Sequence, residues 1–274
     1  MEAIRECYRK RLGASLANYP CLIALSLLAA TGVWAQGTIS TVAGGSGFLD
    51  NIPAVQARIS GPSALAIDQQ SNAYIGDGSR IQKIDALTGI ISTVSANTDA
   101  QYLAFDPKGN LFVVAGNQLL KLNPGTGAFT TIAGAAGSTT PQFGTMSGLA
   151  IDTAGNIFLT DDYYDKIYRI DAVSGAVTTF AGVGMVGNTG SPQGDGGPAT
   201  LAGLESPSVI TVDPLGNVFF VEQYWLRRID GKTGIITTIA PNSGSAASGN
   251  GGPYNKAVFV NVSALATDTQ GNLY

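Results

Sequence analysis

The sequence contains no histidine, and its two cysteines, Cys7 and Cys21, both lie close to the N-terminus. Without histidine the chain lacks the usual general base and the commonest metal ligand, and neither a Ser-His nor a Cys-His catalytic pair can form. Beyond residue 21 there is also no thiol for a disulfide or a cysteine metal site. These absences argue against most hydrolytic enzymes and leave packing as the source of stability.

Charged residues are scarce, at 12% of the chain, and the acidic ones outnumber the basic ones, for a net charge of -4. Nucleic-acid binding needs a basic face, so this class of partner is not expected. After residue 35 the only glutamates are Glu205 and Glu222, so a facing pair of catalytic carboxylates is not predicted. The sequence therefore favours a protein that is not an enzyme and needs no cofactor.

Residues 1–35 differ from the rest of the chain. Basic residues within positions 5–11 precede an apolar run at positions 21–33, and a small residue, Ala35, follows. The run is shorter than the roughly 20 residues that a membrane-spanning helix needs, which disfavours the alternative of a membrane anchor. The pattern is typical of a signal peptide cleaved after Ala35. We therefore expect a secreted, periplasmic or cell-surface protein with no membrane span after cleavage.

Glycine is abundant, with 36 residues, and short runs of Thr, Val and Ile recur. This composition is typical of short β-strands joined by glycine turns. Five copies of one unit are recognisable from aspartates that lie 38 to 61 residues apart in the chain. They are Asp68, Asp106, Asp152, Asp213 and Asp268. Insertions of variable length thus separate copies of a constant element.

Each unit predicts four short strands, which we name a, b, c and d. Strand a ends at the aspartate of a turn with the pattern DxxGN, as in residues 106–110. The aspartate can accept hydrogen bonds from the following amides, and the glycine accepts a positive φ. The first copy has Ser71 in the glycine position, so its turn is expected to be the most strained.

The repeated cassette predicts an all-β fold, a β-propeller of four-stranded antiparallel blades. Four blades are complete, and residues 264–274 supply part of a fifth. A further copy of strand d, at residues 39–42, precedes the first complete unit, and we expect the ring to be incomplete. The alternative, a β-sandwich, has no reason to repeat one four-strand cassette.

The motif GDGGPATLAGLESPSVITVDPLGNVFF, at residues 194–220, resembles the NHL-repeat β-propellers of exported bacterial proteins. Weaker copies begin at Asp50 and Gly249. The resemblance covers essentially all of residues 37–274, and it implies a fold more than a function. We interpret residues 36–274 as one propeller domain that is incomplete at its C-terminus. Enzymes of this fold, as the resemblance implies, use histidines or a carboxylate-bound metal. A metal-dependent lactonase- or lyase-like enzyme is therefore kept as the alternative to a binding scaffold.

Strand parity places the a–b and c–d turns at one end of each blade and the b–c and d–a loops at the other. We call the second end the variable face, and binding residues are more expected there because loops on a rigid scaffold can diversify. Two of its b–c loops combine aromatic and acidic residues, which could bind a protein or a carbohydrate. The predicted binding residues are Asp161, Asp162, Tyr163, Tyr164, Asp165, Glu222, Tyr224 and Trp225.

A purely structural interpretation is also open for the aromatic residues, for the aspartates and for a recurring basic residue. The aromatic residues could instead fill gaps between blades. Asp161, Asp162 and Asp165 have the spacing of calcium ligands, but no DxDxDG loop is present, so a solvated turn is favoured and no metal site is predicted. A basic residue recurs on strand c, at Lys83, Lys121, Arg169 and Arg228. A position imposed by the repeat is favoured over a stripe of residues that face a ligand.

Besides a binding scaffold and an enzyme, a purely structural module is the third functional hypothesis.

Overall fold

The computed structural model describes residues 41–44, 50–123, 126–134, 142–184, 192–223, 225–241 and 257–274. The leader at residues 1–35 lies outside these ranges. Within them, the helical elements are the 3₁₀ turns Ala54–Gln56 and Ala199–Leu201, and no helix there is long and apolar enough to cross a bilayer. The described chain is otherwise built from strands and turns.

The strands form four sheets that correspond to the predicted units. The first unit contains β1 (Ile52–Pro53), β2 (Pro62–Ile67), β3 (Ala73–Asp77), β4 (Arg80–Ile84) and β5 (Ile90–Ala96). The second contains β6 (Tyr102–Phe105), β7 (Leu111–Ala115), β8 (Gln118–Leu122) and β9 (Phe129–Ala133). The third contains β10 (Met146–Ile151), β11 (Ile157–Asp161), β12 (Lys166–Ile170) and β13 (Val177–Ala181). The fourth contains β14 (Ile210–Val212), β15 (Val218–Glu222), β16 (Trp225–Ile229) and β17 (Ile236–Pro241).

Each sheet is an antiparallel meander in chain order, and the predicted β-propeller is confirmed. The a strands β2, β6, β10 and β14 lie side by side at the inner edges of their sheets. The first blade has one strand more than predicted, because β1 pairs with the outer edge of β5. Blade 4 has a shorter equivalent of β1, a single antiparallel bridge between Pro198 and Ile235, which directly precedes β17.

The DxxGN turns form the hydrogen bonds that their sequence predicts. In the third blade, Oδ1 of Asp152 accepts the amides of Ala154 and Asn156 at 2.9 and 2.8 Å. Asn156 then accepts the amide of Ala172 in the c–d hairpin of the same blade, so each turn is tied to its neighbour. Ser71 adopts a φ of 66°, which confirms that a non-glycine residue occupies a left-handed position in the first turn.

Apolar clusters between successive sheets form the core. One cluster joins Phe158 and Ile167 of blade 3 to Phe220 and Ile236 of blade 4, and comparable clusters lie between blades 1 and 2 and between blades 2 and 3. A fourth cluster covers the outer side of blade 1, where Ala43 is buried. Since alternate residues of each strand point to opposite faces, the apolar residues of both faces become buried.

The fifth unit and the early strand-d copy are less regular than predicted. Residues 264–267 do not form a strand; instead a single bridge joins Thr267 to Leu273, with reciprocal backbone bonds between Ala266 and Tyr274. Of the predicted strand at residues 39–42, positions 39 and 40 lie outside the described residues, and Thr41 and Val42 are not in a strand. Among the described residues, neither segment forms the ladder that defines a strand.

The basic column on strand c pairs with residues of its own blade. Arg228 lies 2.8 Å from Asp230, Arg169 lies 3.2 Å from Asp171 and Lys83 lies 3.7 Å from Asp85. In the second blade, Lys121 instead stands over the ring of Phe112. The repeat therefore places each cation beside the c–d hairpin or an aromatic ring, as the structural interpretation expects.

Asp230 gives the first testable consequence. Backbone and side-chain hydrogen bonds from Thr233, together with Arg228, lower the pKa of Asp230 to about 2. Because the pKa in the folded state is depressed, the stabilisation is present above the unfolded value near 3.8 and is lost as pH falls through about 2. Asp230→Ala should therefore lower the melting temperature at pH 6, and its difference from the unaltered protein should shrink between pH 4 and pH 2. A constant difference across that range would contradict this account.

Candidate functional site

An acidic residue ends strand b in three of the four blades, and in each it anchors a loop of the variable face. Asp77, Asp161 and Glu222 each accept the backbone N–H of the residue 17 positions earlier in the chain. The amides belong to Ser60, Gly144 and Glu205, which all lie in the loop that precedes strand a. In blade 2 the same position is Ala115. The acids are thus structural anchors.

Asp161 is fully buried and organises the b–c loop of blade 3. Its carboxylate accepts the amide of Gly144 at 2.8 Å and those of Tyr163 and Tyr164 at 3.2 and 3.1 Å. With both oxygens engaged, the side chain is not available to a ligand. The prediction that Asp161 is a binding residue is therefore better replaced by a positioning role.

The two tyrosines of this loop form an edge-to-face pair with ring centroids 4.9 Å apart. Tyr163 is 59% exposed, whereas Tyr164 is half-buried. A Cβ added to Gly144 would lie 2.5 Å from Cβ of Tyr163, so the base of Tyr163 packs closely on the neighbouring loop. The arrangement presents one aromatic face to solvent on a constrained backbone.

Asp162 and Asp165 are half-buried carboxylates beside this pair. Burial raises the pKa of Asp162, and the charges of Asp161 and Asp165 act in the same direction. Burial also raises the pKa of Asp165, helped by the charges of Glu205 and Asp161. Asp165 accepts the amide of Ser206 at 2.7 Å and so links blade 3 to the loop before blade 4. This part of the face is strongly acidic.

In blade 4 the acid that ends strand b belongs to a buried ion network. Arg227 is fully buried and pairs with Glu222, and it also reaches Asp195 at 2.8 Å and the carbonyl of Gln193 at 3.0 Å. Burial raises the pKa of Glu222 although Arg227 acts in the opposite direction. Sequence reasoning missed Arg227 and Asp195, although Asp195 stands in the GDGG motif that signals the repeat. Glu222, predicted to bind a ligand, is a structural partner.

The structure does not bring the two predicted loops together through a direct aromatic contact among the described residues. Tyr224 lies outside the described residues. Trp225 is half-buried at the start of β16, opposite Pro241, and its indole N–H is buried without an acceptor in the part of the chain that is described. Blade 3 therefore supplies the better-defined half of the candidate site.

No group of three metal-ligating side chains lies close enough to hold an ion within the described ranges. Both carboxylate oxygens of Asp161 accept hydrogen bonds from backbone amides, and Asp165 accepts an amide from the next loop. Each of these two acids thus has a hydrogen-bonding role in the backbone of the loops. The turn is hydrogen-bonded as expected, but it is not solvated at Asp161, which is fully buried.

Residues 101–262 match the family model described as the teneurin NHL domain. Teneurin-1 of Gallus gallus is 33% identical over 105 residues, which cover 35% of this chain and 4% of that protein. Teneurin-4 of Homo sapiens is 34% identical over 94 residues, 31% of this chain and 3% of that protein. The chain thus matches only a few per cent of the length of these relatives.

Two solved structures show a similar fold. An auxiliary nutrient binding protein from Bacteroides thetaiotaomicron is 13% identical, with a TM-score of 0.59 over 79% of this chain and 56% of that chain. A streptogramin B lyase is 18% identical, with a TM-score of 0.50 over 81% of this chain and 69% of that chain. At these identities the likeness concerns the fold alone. Because the family model spans more than half of the sequence, the chain belongs to the teneurin NHL domain family, and its resemblance to NHL-repeat propellers is confirmed.

Proposed function

We propose that this protein is a non-catalytic binding module that recognises a protein or carbohydrate partner through the variable face of its propeller. The observation that carries the proposal is the Tyr163–Tyr164 pair, which exposes one ring. Asp161 fixes the backbone of this loop by accepting the amides of both tyrosines, and it ties the loop to Gly144 by accepting a third amide. A rigid, exposed aromatic ring contributes contact area at little entropic cost.

The acidic residues around the tyrosine pair favour a partner that carries positive charge or hydrogen-bond donors. Asp162 and Asp165 flank the pair, and neither forms an ion pair with a lysine or arginine among the described residues. A partner that brings hydrogen-bond donors or positive charge to an aromatic platform would match it, as a sugar hydroxyl face or a basic protein patch does. With residues 1–35 as a signal peptide, such binding would take place outside the cytoplasm.

A second function is not supported to the same degree. A lyase shares the fold at 18% identity, but a shared fold does not transfer a mechanism. This chain has no histidine, and its buried carboxylates at the ends of the b strands are occupied by backbone amides. The described residues therefore contain no assembled catalytic group that would support the enzyme alternative.

Replacing Tyr163 and Tyr164 together by alanine should weaken partner binding about tenfold or more, with little change in the melting temperature. The reason is that exposed aromatic residues at a binding site commonly contribute more than 1 kcal/mol each to affinity. Binding is measured on glycan and extracellular-protein arrays and then by calorimetry on the hits.

The matched control is Leu215→Ala, because Leu215 is 72% exposed but stands in a DxxGN turn on the opposite face. It should bind like the unaltered protein. If the tyrosine variant instead loses melting temperature in proportion to its loss of binding, the pair packs the fold and the proposed site is wrong. If the tyrosine variant and the Leu215→Ala control bind every hit equally well, the proposed site is also wrong.

A further inference from the structure

Two of the four blades carry an extra segment along their outer edge, which we call a strap. The strap of blade 1 lies on β5, and that of blade 4 lies on β17. Both straps have the sequence Asp-x-x-Pro-Ala, at residues 50–54 and 195–199. Their alanines, Ala54 and Ala199, are 2% and 3% exposed. The chain itself therefore shows which kind of segment fits the outer edge of a blade.

The strap of blade 4 satisfies four backbone groups of β17 and its hairpin. These are the carbonyl of Gly234, the amide and carbonyl of Ile236 and the amide of Thr238. Their partners are backbone groups of residues 196–199 and the carboxylate of Asp195, at 2.9–3.0 Å. Under this strap the side chain of Ile236 is fully buried. The aspartate and the alanine of the shared sequence thus both have a defined partner on the edge.

Blade 3 has the same edge geometry but no strap among the described residues. The register of β13 against β12 is the same as that of β17 against β16, with an irregularity at the same place. The outward groups are therefore the carbonyl of Gly175, the amide and carbonyl of Val177 and the amide of Thr179. None of these four groups has a hydrogen-bond partner in the described part of the chain. Val177 is also only half-buried, unlike Ile236.

The end of the preceding blade adds one more group to this edge. The amide of Gly182, just after β13, donates at 3.0 Å to the carbonyl of Ala199 in the strap of blade 4. Gly134 has the corresponding position after β9, and its amide has no partner among the described residues. The connection from Gly134 to β10, residues 135–145, contains neither an aspartate nor a Pro-Ala pair. Blade 3 thus has no strap sequence of its own.

Blade 2 also lacks a strap, but blade 1 occupies its edge. The carbonyl of Gly127, in the c–d hairpin of blade 2, accepts the hydroxyl of Ser95 at 3.3 Å. A Cβ added to Gly127 would lie 2.9 Å from the carbonyl oxygen of Val94, whereas one added to Gly175 or Gly234 would meet no atom within 4 Å. Among the described residues, blade 3 therefore combines an open edge with the hairpin geometry of a strapped blade.

We propose that the outer edge of blade 3 binds an extended segment of a partner protein with the sequence Asp-x-x-Pro-Ala. The segment adds a strand to the sheet, a mode in which main-chain hydrogen bonds supply the affinity. Its alanine donates to Gly175 and accepts from Gly134, and its aspartate accepts the amide of Thr179. The two straps of the chain are bound to their own blades, so the segment comes from another protein.

The test titrates the isotope-labelled protein with the peptide acetyl-GDGGPATLAG-amide, which has the sequence of residues 194–203, and follows the backbone amides by NMR. The peptide should bind and shift the signals of Val177 and Thr179. A matched peptide with N-methylalanine after the proline lacks one donor and should bind about fivefold more weakly. No binding at millimolar peptide, equal binding of both peptides, or shifts confined to residues 234–238 would overturn the proposal.

Two proline variants locate the site on the protein. Val177→Pro removes an outward amide, which an edge strand tolerates because the bonds to β12 remain, and it should abolish peptide binding. Phe129→Pro, the same change at the corresponding position of blade 2, should leave binding unchanged. Normal peptide binding by a folded Val177→Pro protein would place the peptide elsewhere. If that variant does not fold, the comparison of the two peptides decides.

Two further measurements identify the occupant and separate this proposal from the previous one. Self-association of the protein that Val177→Pro abolishes would assign the edge to a second copy, and would overturn the proposal of a separate partner. The variant with alanine at Tyr163 and Tyr164 should bind the peptide normally, because the edge of blade 3 does not include the tyrosine pair. The two proposals can therefore fail independently.

Discussion

Replacing Arg227 by methionine is expected to destabilise the protein by about 3–5 kcal/mol at neutral pH, because it leaves the carboxylate of Glu222 buried without its cation. The side chain of Arg227 is 0% exposed and that of Glu222 is 2% exposed. Asp195 would also lose its cation, and its loop would stay tied to blade 4 through the Thr238 amide that Asp195 accepts and through backbone bonds such as that from Gly196 to Ile236. Urea denaturation at pH 7 measures the change.

The matched control is Arg228→Met on the same strand. Arg228 pairs with Asp230, but its side chain is 32% exposed, and exposed ion pairs contribute only about 0–1 kcal/mol. If the two variants lose similar stability, the buried network has no special role. Adding Glu222→Gln to Arg227→Met should recover part of the loss, because the uncompensated charge is then removed.

The Arg227→Met deficit should also depend on pH. Burial already raises the pKa of Glu222, and removing the cation would raise it further. Because a carboxyl with a raised pKa in the folded state binds its proton more tightly there, acid favours the folded form. The deficit should therefore be largest above pH 7 and become smaller as pH falls toward 5. A deficit that is constant over this range would indicate lost packing in place of lost charge.

Most of the fold could be predicted from the sequence because its determinants are local. The DxxGN turns combine an aspartate acceptor with a glycine at positive φ, as Gly155 shows with a φ of 89°, and such turns fix where strand a ends and strand b begins. Alternating apolar residues then set which side of each strand is buried. These signals repeat in every unit, so an error in one copy is corrected by the others.

The candidate site could be predicted only in part, because its roles depend on contacts between distant residues. Asp161 and Tyr163 look equally exposed in a loop sequence, yet Asp161 is buried and accepts the amide of Gly144, 17 positions away. Arg227 looks like one more basic residue of strand c, but it is fully buried and pairs with Asp195, 32 positions away. Local patterns therefore located the loops but could not separate anchors from surface groups.

The extra strand β1 illustrates the same limit. The sequence from Asp50 is a weaker copy of the GDGGPA motif, but the motif alone does not show where the segment docks. In both copies the alanine after the proline donates to a hairpin glycine, Ala54 to Gly89 and Ala199 to Gly234, each at 2.9 Å. The segment thus covers the outer edge of a blade, an arrangement that protects edge strands from pairing with other chains.

Substitution of Gly182 by alanine is expected to cost about 2–4 kcal/mol, the sum of a strained backbone and a steric overlap. Gly182 directly follows β13 with a φ of 94°, and a Cβ there would overlap the carbonyl oxygen of Asp165 and lie 3.2 Å from Cδ1 of Leu204. Its amide also donates to Ala199 at 3.0 Å. The residue therefore stands where the tyrosine loop, the GDGG loop and blade 4 meet.

Gly175→Ala provides the control, since Gly175 has a φ of 70° and no atom within 4 Å of an added Cβ. It should cost about 1 kcal/mol, the backbone contribution alone. The comparison isolates the steric overlap, whose nearest atom is the carbonyl oxygen of Asp165 in the b–c loop that carries Tyr163 and Tyr164. Gly182→Ala should consequently also weaken partner binding, and the NMR signals of residues 161–165 should shift. Equal losses of stability in the two variants, with an unchanged tyrosine loop, would show that this junction tolerates a side chain.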